Sequence, residues 1–176
     1  LGAFSFYAAD RAPQANIYAY EPDPATHDLF QQSIQASRLT DRIQLAPVAI
    51  GGEADELTFY VADECSGWSS FYKPPCPCSE ITVPVLSLQA VFDQQEIAFC
   101  DFLKIDCEGA EYEMLYNLPT AYFTKIGLFA IEYHHVPDKP EYTPEALSAF
   151  LEERGFTVHR YKKYHLFAQA NGAVQD

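Results

Sequence analysis

Apolar runs typical of strands alternate with amphipathic helical segments along most of the chain. Leu29, Phe30 and Ile34 recur at helical spacing, whereas Phe102, Leu103 and Ile105 form a short apolar run typical of a buried strand. The pattern predicts helices over residues 2–12, 24–37, 88–92, 110–117 and 144–154, and strands over 16–20, 43–50, 57–61, 81–85, 102–106, 126–133, 157–161 and 166–169. This alternation favours an α/β fold built from βαβ units, closed by a hairpin of the last two strands.

The pattern indicates a single domain over residues 1–176. It shows no internal repeat and no linker, and 176 residues with 48% apolar content can bury one sizeable core. No run of 18 apolar residues and no signal-peptide pattern is present, which predicts a cytoplasmic chain without a membrane span. The five cysteines lack a disulfide-framework spacing, in keeping with reduced thiols.

The charge balance restricts the partners. A formal charge of -14 repels phosphate backbones, so we expect no nucleic-acid substrate. The same charge also promotes solubility. Nothing in the sequence indicates an oligomeric state.

Two acids lie at and just after the end of the strand predicted over 102–106. Asp106 and Glu108 come where the strand ends, Gly109 permits a tight turn, and Glu111 falls in the first turn of the next helix, where the helix dipole favours negative charge. In an open α/β sheet, ligands bind outside the carboxyl ends of the strands, so these acids are placed for chemistry. The alternative is that they only cap the helix.

A second strand, over 16–20, also ends in an acid. Glu21 follows it, 19 positions after Gly2. A glycine turn followed about 20 residues later by an acid is a nucleoside-binding pattern. The glycine lets the backbone approach the ligand, and the carboxylate accepts hydrogen bonds from the ribose hydroxyls. Gly2 is the single glycine of the usual fingerprint that the chain contains.

The sequence resembles the FkbM-type family of S-adenosylmethionine-dependent methyltransferases. The resemblance runs through nearly the whole chain in the expected order. Its motifs are Gly-Ala-Phe-Ser at 2–5, Tyr-Glu-Pro-Asp-Pro at 20–24, Ala-Ile-Gly at 49–51, Ser-Ser at 69–70, Lys-Ile-Asp-Cys-Glu-Gly-Ala-Glu at 104–111 and Ile-Glu-Tyr-His at 131–134. The run at 104–111 is the most specific of them.

The resemblance implies a Rossmann-like class I methyltransferase sheet, mostly parallel, with a C-terminal antiparallel hairpin. The family's first strand, and the Asp-x-Gly-Ala-Asn that follows it, have no counterpart in the sequence. The expected place of that strand is between the strands that end at Glu21 and Asp106. A parallel sheet without its centre leaves two rows of backbone groups unpaired, so we expect the chain to be a fragment that lacks its N-terminal strand.

The resemblance also implies S-adenosylmethionine as the cofactor and methylation of a hydroxyl on a small molecule or glycan. The cofactor-binding residues it predicts are Gly2, Glu21, Pro22, Ala49 and Asp106, with Glu21 at the ribose and Ala49 beside the adenine.

The titratable groups at the two adjacent strand ends predict the catalytic set, which is Asp106, Glu108, Glu132 and His134. An unperturbed histidine titrates near neutrality, which suits His134 to act as a general base. The alternative is a strand-end histidine bonded to a backbone carbonyl.

We expect no resident metal. Asp106, Glu108 and Glu132 together offer the oxygen ligands that magnesium prefers, which is the alternative. Cys76 and Cys78, with Cys65 upstream, lack the usual two-residue gap of zinc sites. The loop around Ser69 and Ser70 is either a surface loop or a lid closed by Trp68 or Phe71.

Two other function classes remain at this point. A nucleotide-cofactor oxidoreductase shares the spacing from Gly2 to Glu21 but does not account for the acidic run at 106–111. A catalytically inactive binding module would keep the scaffold without the activity.

Overall fold

The computed structural model describes residues 2–53, 55–62, 69–136 and 138–172, and its architecture is mixed α/β. The elements in chain order are α1 (Ala3–Arg11), β1 (Ile17–Tyr20), α2 (Pro24–Ala36), β2 (Ile43–Ala46), β3 (Ala49–Gly51), β4 (Asp55–Ala62), β5 (Cys78–Ser87), α3 (Leu88–Gln94), β6 (Cys100–Asp106), α4 (Glu111–Tyr116), α5 (Thr120–Phe123), β7 (Ile126–Glu132), α6 (Pro144–Glu152), β8 (Phe156–Tyr161) and β9 (His165–Ala170). The α/β prediction is therefore confirmed.

Helix starts follow ordinary capping chemistry. The Asp23 carboxylate accepts a hydrogen bond from the Ala25 amide (3.0 Å) at the start of α2, and the Thr143 hydroxyl accepts one from the Ala146 amide (3.1 Å) at the start of α6. Each cap is followed by a proline, whose fixed φ suits the first helical position. These local signals explain why both helices begin where the sequence predicts.

The described strands form three sheets, with orders β1-β2, β3-β5-β4 and β6-β7-β9-β8. The pairs β1-β2, β3-β5 and β6-β7 are parallel, and the pairs β4-β5, β7-β9 and β8-β9 are antiparallel. The antiparallel hairpin predicted at the C-terminal end is confirmed as β8-β9. The sheets are mixed rather than mostly parallel, because β4 and β5 also pair as antiparallel strands.

The missing first strand stays a prediction. Among the described strands, β1 pairs with β2 and β6 pairs with β7, and none pairs with both β1 and β6, which belong to different sheets. The prediction that 102–106 is a buried strand is wrong in part, because Ile105 is buried while Phe102 is 38% exposed. The Phe102 ring stacks instead on Phe4 of α1, with ring centroids 5.3 Å apart.

The single strand predicted over 43–50 is two strands. Pro47 separates β2 from β3, which belong to different sheets. Proline has no amide hydrogen to donate to a ladder, so pairing stops there. The short helix α5 was not predicted, because four residues are too few to show a helical period.

The main core lies between the four-stranded sheet and helices α3, α4 and α6. Phe129, Leu115, Leu147 and Leu151 are completely buried there. Two smaller apolar clusters lie under α1 and α2 and within the β3-β5-β4 sheet. The main core therefore supports the ends of β6 and β7, where the predicted catalytic residues lie.

None of the helices in the described parts of the chain has the length and apolar character needed to cross a membrane.

Candidate functional site

The strands that carry the predicted catalytic residues are direct neighbours. β6 and β7 run parallel with Asp106 opposite Glu132 in the register. Parallel strands bring their carboxyl ends to one edge of the sheet. The expectation that these two strand ends meet is confirmed.

A strained turn follows β6. Glu108 has φ 47° and Gly109 has φ 109°, and the Ala110 amide donates to the Cys107 carbonyl (3.2 Å) to close the turn. The left-handed region costs a residue with a side chain about 1–3 kcal/mol, and such strain concentrates at functional sites. A Cβ at Gly109 would lie 2.9 Å from the Tyr72 ring, so glycine is required both for its φ and for space.

The His134 ring lies between two carboxylates. Its Nε2 is 3.5 Å from Glu108 Oε2, and its Nδ1 is 3.1 Å from Glu111 Oε1. The His134 side chain is 21% exposed and Glu108 is 30% exposed, whereas Glu111 is fully buried. The ring is therefore held by carboxylates rather than by a backbone carbonyl, and the structure brings Glu108 and His134 together as predicted.

This environment changes the proton affinities of the group. Burial by itself lowers the pKa of His134, but the hydrogen bond to Glu111 and the charges of Glu111, Glu108 and Asp106 outweigh burial, so the pKa is raised. Burial also raises the pKa of Glu108, with the charge of His134 opposing that shift. A histidine with a raised pKa is a stronger proton acceptor than a free imidazole.

Asp106 and Glu132 each face a basic group. Lys104 Nζ lies 2.6 Å from Asp106 Oδ2, and His165 Nε2 lies 3.5 Å from Glu132 Oε2. Potential ligand atoms of Asp106, Glu132 and His134 lie within 4.8 Å of one another. The magnesium alternative named Asp106, Glu108 and Glu132 as ligands. In the structure, the third side chain of the converging group is His134 and not Glu108.

A divalent ion at this cluster would compete with the groups already present. The Lys104 ammonium occupies one oxygen of Asp106, and His134 is bonded to Glu111 through Nδ1. The donor atoms suit a cation, yet Lys104 already supplies positive charge to Asp106. The zinc alternative includes Cys65, which lies outside the described residues.

Glu21 lies directly after β1, as predicted. Its Oε1 accepts a hydrogen bond from the Asp23 amide (3.0 Å), and its second oxygen has no hydrogen-bond partner among the described residues. Burial is the main cause of a raised pKa for this carboxyl group, and the Asp23 hydrogen bond partly offsets it. One oxygen is thus fixed by the loop while the other is available to a diol.

Gly2 adopts φ 63°, and a Cβ there would lie 2.1 Å from the Phe30 ring. This glycine is therefore required by the fold as well as suited to a close ligand. Pro22 is half-buried between Glu21 and Asp23. Nothing in the contacts of Gly2 or Pro22 tests their assignment to the cofactor, which stays a prediction.

Ala49 is 4% exposed and packs in the apolar cluster of the β3-β5-β4 sheet with Phe59, Val83 and Val85. Its place beside the adenine stays a prediction. A bulky residue at position 49 would overpack this cluster. Loss of ligand binding in an Ala49→Phe variant would therefore not distinguish a blocked pocket from a disturbed core.

Ser69 and Ser70 are hydrogen-bonded to the last residues of β4. The Ser69 hydroxyl accepts from the Ala62 amide (3.1 Å), and Ser70 exchanges backbone hydrogen bonds with Tyr60. The buried Ser70 hydroxyl also donates to the Tyr72 carbonyl (2.7 Å). These contacts are structural, and the predicted lid residue Trp68 lies outside the described residues.

Sequence reasoning missed three members of this group. Glu111 was assigned to the helix dipole, and Lys104 and His165 were not selected. The pattern around Glu111, where Tyr112, Met114 and Leu115 are apolar, indicates a buried helix face but does not show that the carboxylate lies inside it. Only the hydrogen bonds from Glu111 to the amide and the ring of His134, just after β7, reveal that partner.

A cavity of about 270 Å³ lies away from this group. The cavity is lined by residues near the end of β3 and by residues of α3 and α4. None of the predicted site residues lines it. The lining residues include Gly52, Ser87, Gln89, Met114 and Asn117. We therefore place the candidate site at the strand ends and not in this cavity.

Comparisons with known proteins agree with the sequence motifs. The methyltransferase FkbM domain matches residues 2–158. Methyltransferase 1 of Beauveria bassiana (strain ARSEF 2860) is 24% identical over 177 residues, covering 90% of this chain and 69% of that protein. Methyltransferase sdnD of Sordaria araneosa is 21% identical over 189 residues, covering 91% of this chain and 71% of that protein. No solved structure matches the chain.

Proposed function

This chain belongs to the FkbM methyltransferase domain family, and from that premise we propose that it transfers a methyl group from S-adenosylmethionine to a hydroxyl of a small molecule or glycan. The observation that carries the proposal is the His134 ring, held between Glu108 and Glu111 at the paired ends of β6 and β7. A hydroxyl acceptor must lose a proton, and this ring is a base in a suitable position.

The residues at the front of the chain suit the cofactor. Glu21 offers a carboxylate oxygen to the ribose hydroxyls at the end of β1, and Gly2 provides a left-handed turn that leaves the backbone without a side chain. Pro22, Ala49 and Asp106 complete the proposed cofactor-binding set. When bound, the cofactor supplies a methyl group on a positively charged sulfur, and the C–S electron pair stays on sulfur as the methyl leaves.

Side chains of this protein accept the proton that the acceptor hydroxyl loses. As the acceptor oxygen takes the methyl group, its O–H bond breaks and the proton passes to His134 Nε2. The carboxylates of Glu108 and Glu111 stabilise the resulting imidazolium. Asp106 and Glu132 border the site, where the Lys104 ammonium balances part of the charge of Asp106 and His165 Nε2 lies 3.5 Å from Glu132 Oε2.

The acceptor we expect carries little negative charge. A chain of net charge -14 with several carboxylates at its site repels phosphates and carboxylates. Sugars and polyketide hydroxyls fit this requirement, and nucleic acids do not. The printed names of the two relatives say only that they are methyltransferases.

The test is a methyl-transfer screen with labelled S-adenosylmethionine across sugars, polyketides and lipids, run with the wild-type chain and His134→Ala. We expect label in one acceptor class with the wild type, and a rate lower by about 10²- to 10⁴-fold with the variant. Equal rates in both proteins would overturn the role of His134. A parallel reaction with a chelator is expected to proceed unchanged, and loss of turnover there would favour the magnesium alternative.

Cofactor identity needs its own measurement. Calorimetry with S-adenosylhomocysteine is expected to show binding, and dinucleotides are expected not to bind. The opposite pattern would favour the oxidoreductase alternative, which the family match does not support. Binding without transfer to any acceptor would favour an inactive binding module.

A further inference from the structure

Glu111 is a carboxylate with no exposure to solvent, in the first turn of α4. Burying a carboxylate is costly unless its oxygens are hydrogen-bonded. Glu111 Oε2 accepts from the Gly109 amide (2.8 Å), and Oε1 accepts from the His134 amide (2.5 Å). The side chain therefore ties the turn after β6 to the first residues after β7.

The same oxygen also contacts the His134 ring. Glu111 Oε1 lies 3.1 Å from Nδ1, and an ionised carboxylate can only accept, so Nδ1 must carry the hydrogen. In the neutral ring Nε2 then has the free electron pair. Nε2 is on the side of Glu108, away from the buried carboxylate.

We propose that Glu111 is a positioning residue that holds His134 in the Nδ1–H tautomer and leaves Nε2 to receive the acceptor proton. The inference rests on the proposed function for the role of Nε2, whereas the tautomer itself does not. Glu111 is fully buried behind the ring, so it acts through His134 and does not reach the reacting atoms. Two bonds to one residue, one to the amide and one to the ring, fix both the position and the rotation of the imidazole.

A purely structural role is the competing explanation, because Glu111 also bonds to Gly109. Such a role requires the fold to depend on Glu111, but it predicts no coupling between Glu111 and His134 in methyl transfer. The tautomer measurement tests the contact itself, and the double-mutant cycle separates the two explanations.

The first experiment is nitrogen NMR of the whole chain with labelled histidine, at an alkaline pH where the rings are neutral. The chain has five histidines, and the signal of His134 is identified by its loss in His134→Asn. We expect the wild type to show hydrogen on Nδ1 of His134, and Glu111→Gln to lose that preference. Hydrogen on Nε2 in the wild type would overturn the proposal, even if the variant failed to fold.

Glu113→Gln is the matched control. Glu113 is on the same helix, is 42% exposed, and contacts Lys139 and the Tyr142 hydroxyl instead of His134. This variant is expected to keep the wild-type tautomer and turnover. A tautomer change of equal size in both variants would point to a general effect of α4 and would contradict a specific role for Glu111.

The second experiment is a double-mutant cycle on methyl transfer. Glu111→Gln is expected to lower kcat by about 10²- to 10⁴-fold, as for loss of the base itself, with cofactor affinity nearly unchanged. Adding Glu111→Gln to His134→Ala should cause no further loss, since residues that act as one unit are not additive. Independent, multiplying losses would refute positioning. A wild type with the Nδ1–H tautomer but no methyl transfer would instead refute the proposed function alone.

Discussion

Two carboxylates that follow strands, Glu21 and Glu111, have different hydrogen-bond partners. These partners determine whether each carboxylate can bind a ligand or only hold another side chain in place. Glu21 gives one oxygen to its own loop and keeps one without a partner among the described residues. Glu111 has both oxygens engaged and is completely buried. The first arrangement suits ligand binding, and the second suits holding another side chain in place.

Glu21→Ala is expected to weaken S-adenosylhomocysteine binding by about tenfold or more. A hydrogen bond to a charged group contributes about 1.5–3 kcal/mol, and 1.4 kcal/mol corresponds to one decade in affinity. Calorimetry measures the change directly. Asp28→Ala, which removes an exposed acid from α2, is the control and should bind as the wild type does. Unchanged affinity in Glu21→Ala would remove this residue from the cofactor site.

The raised pKa of His134 sets the expected pH dependence. A general base works only when neutral, so turnover should fall as pH drops through this pKa, with the midpoint above the ordinary value of 6.5. Glu108→Gln removes a nearby negative charge that favours the protonated ring, so the midpoint should move to lower pH. The measurement is the pH profile of kcat/KM, with Glu113→Gln as control. A midpoint that stays in place or moves upward would contradict the assignment.

At the scale of elements, the turn between β6 and α4 is the critical connection. It carries Glu108, lies against Tyr72 and is bonded to Glu111 through the Gly109 amide. Its conformation is strained at Glu108 and permitted at Gly109 by the absence of a side chain. The position of Glu108 relative to His134 therefore depends on this turn.

Gly109→Ala is expected to lower the free energy of unfolding by about 1–3 kcal/mol and to reduce turnover, because the added Cβ must displace the Tyr72 ring. Denaturant unfolding gives the first quantity and the methyl-transfer assay the second. Gly155→Ala is the control, since Gly155 also has a positive φ (88°) but a Cβ there meets nothing within 4 Å. Gly155→Ala should lose stability without losing turnover. Equal turnover losses would show that backbone strain alone is responsible.

At the scale of the whole molecule, the two strands that carry the proposed site, β1 and β7, differ in how deeply their residues are buried. Four residues of β7 are buried, and three of them belong to the main core, whereas β1 has no buried residue. Glu21, which we propose binds the cofactor, follows β1, while the proposed base follows β7. Ligand binding is therefore expected to protect β1, the less buried of these two strands, more than β7.

Hydrogen exchange measured by mass spectrometry should show this difference. Amides of β1 are expected to exchange faster than those of β7, because exchange through local opening is easiest where few apolar contacts are buried. Adding S-adenosylhomocysteine should slow exchange in β1 more than in the β8-β9 hairpin. Equal protection of both segments on binding would contradict the location of the cofactor next to Glu21.

The sequence by itself determined the elements and the chemistry of the strand ends. Hydrophobic periodicity depends on each element's own residues, so most helices and strands, the hairpin and the acids at 106 and 108 follow from it. Pro47 is also visible in the sequence, yet a continuous strand was predicted across it. Hydrophobic periodicity does not show that proline lacks the backbone amide hydrogen needed for strand pairing.

The tertiary structure alone decided which side chains meet. The burial of Glu111 and its bond to a histidine 23 positions later depend on how α4 packs beside the paired strands β6 and β7. The exposure of Phe102 likewise depends on which strands flank β6, and not on its own hydrophobicity. Contacts between distant segments arise from the register and crossing of elements, which local propensity does not encode.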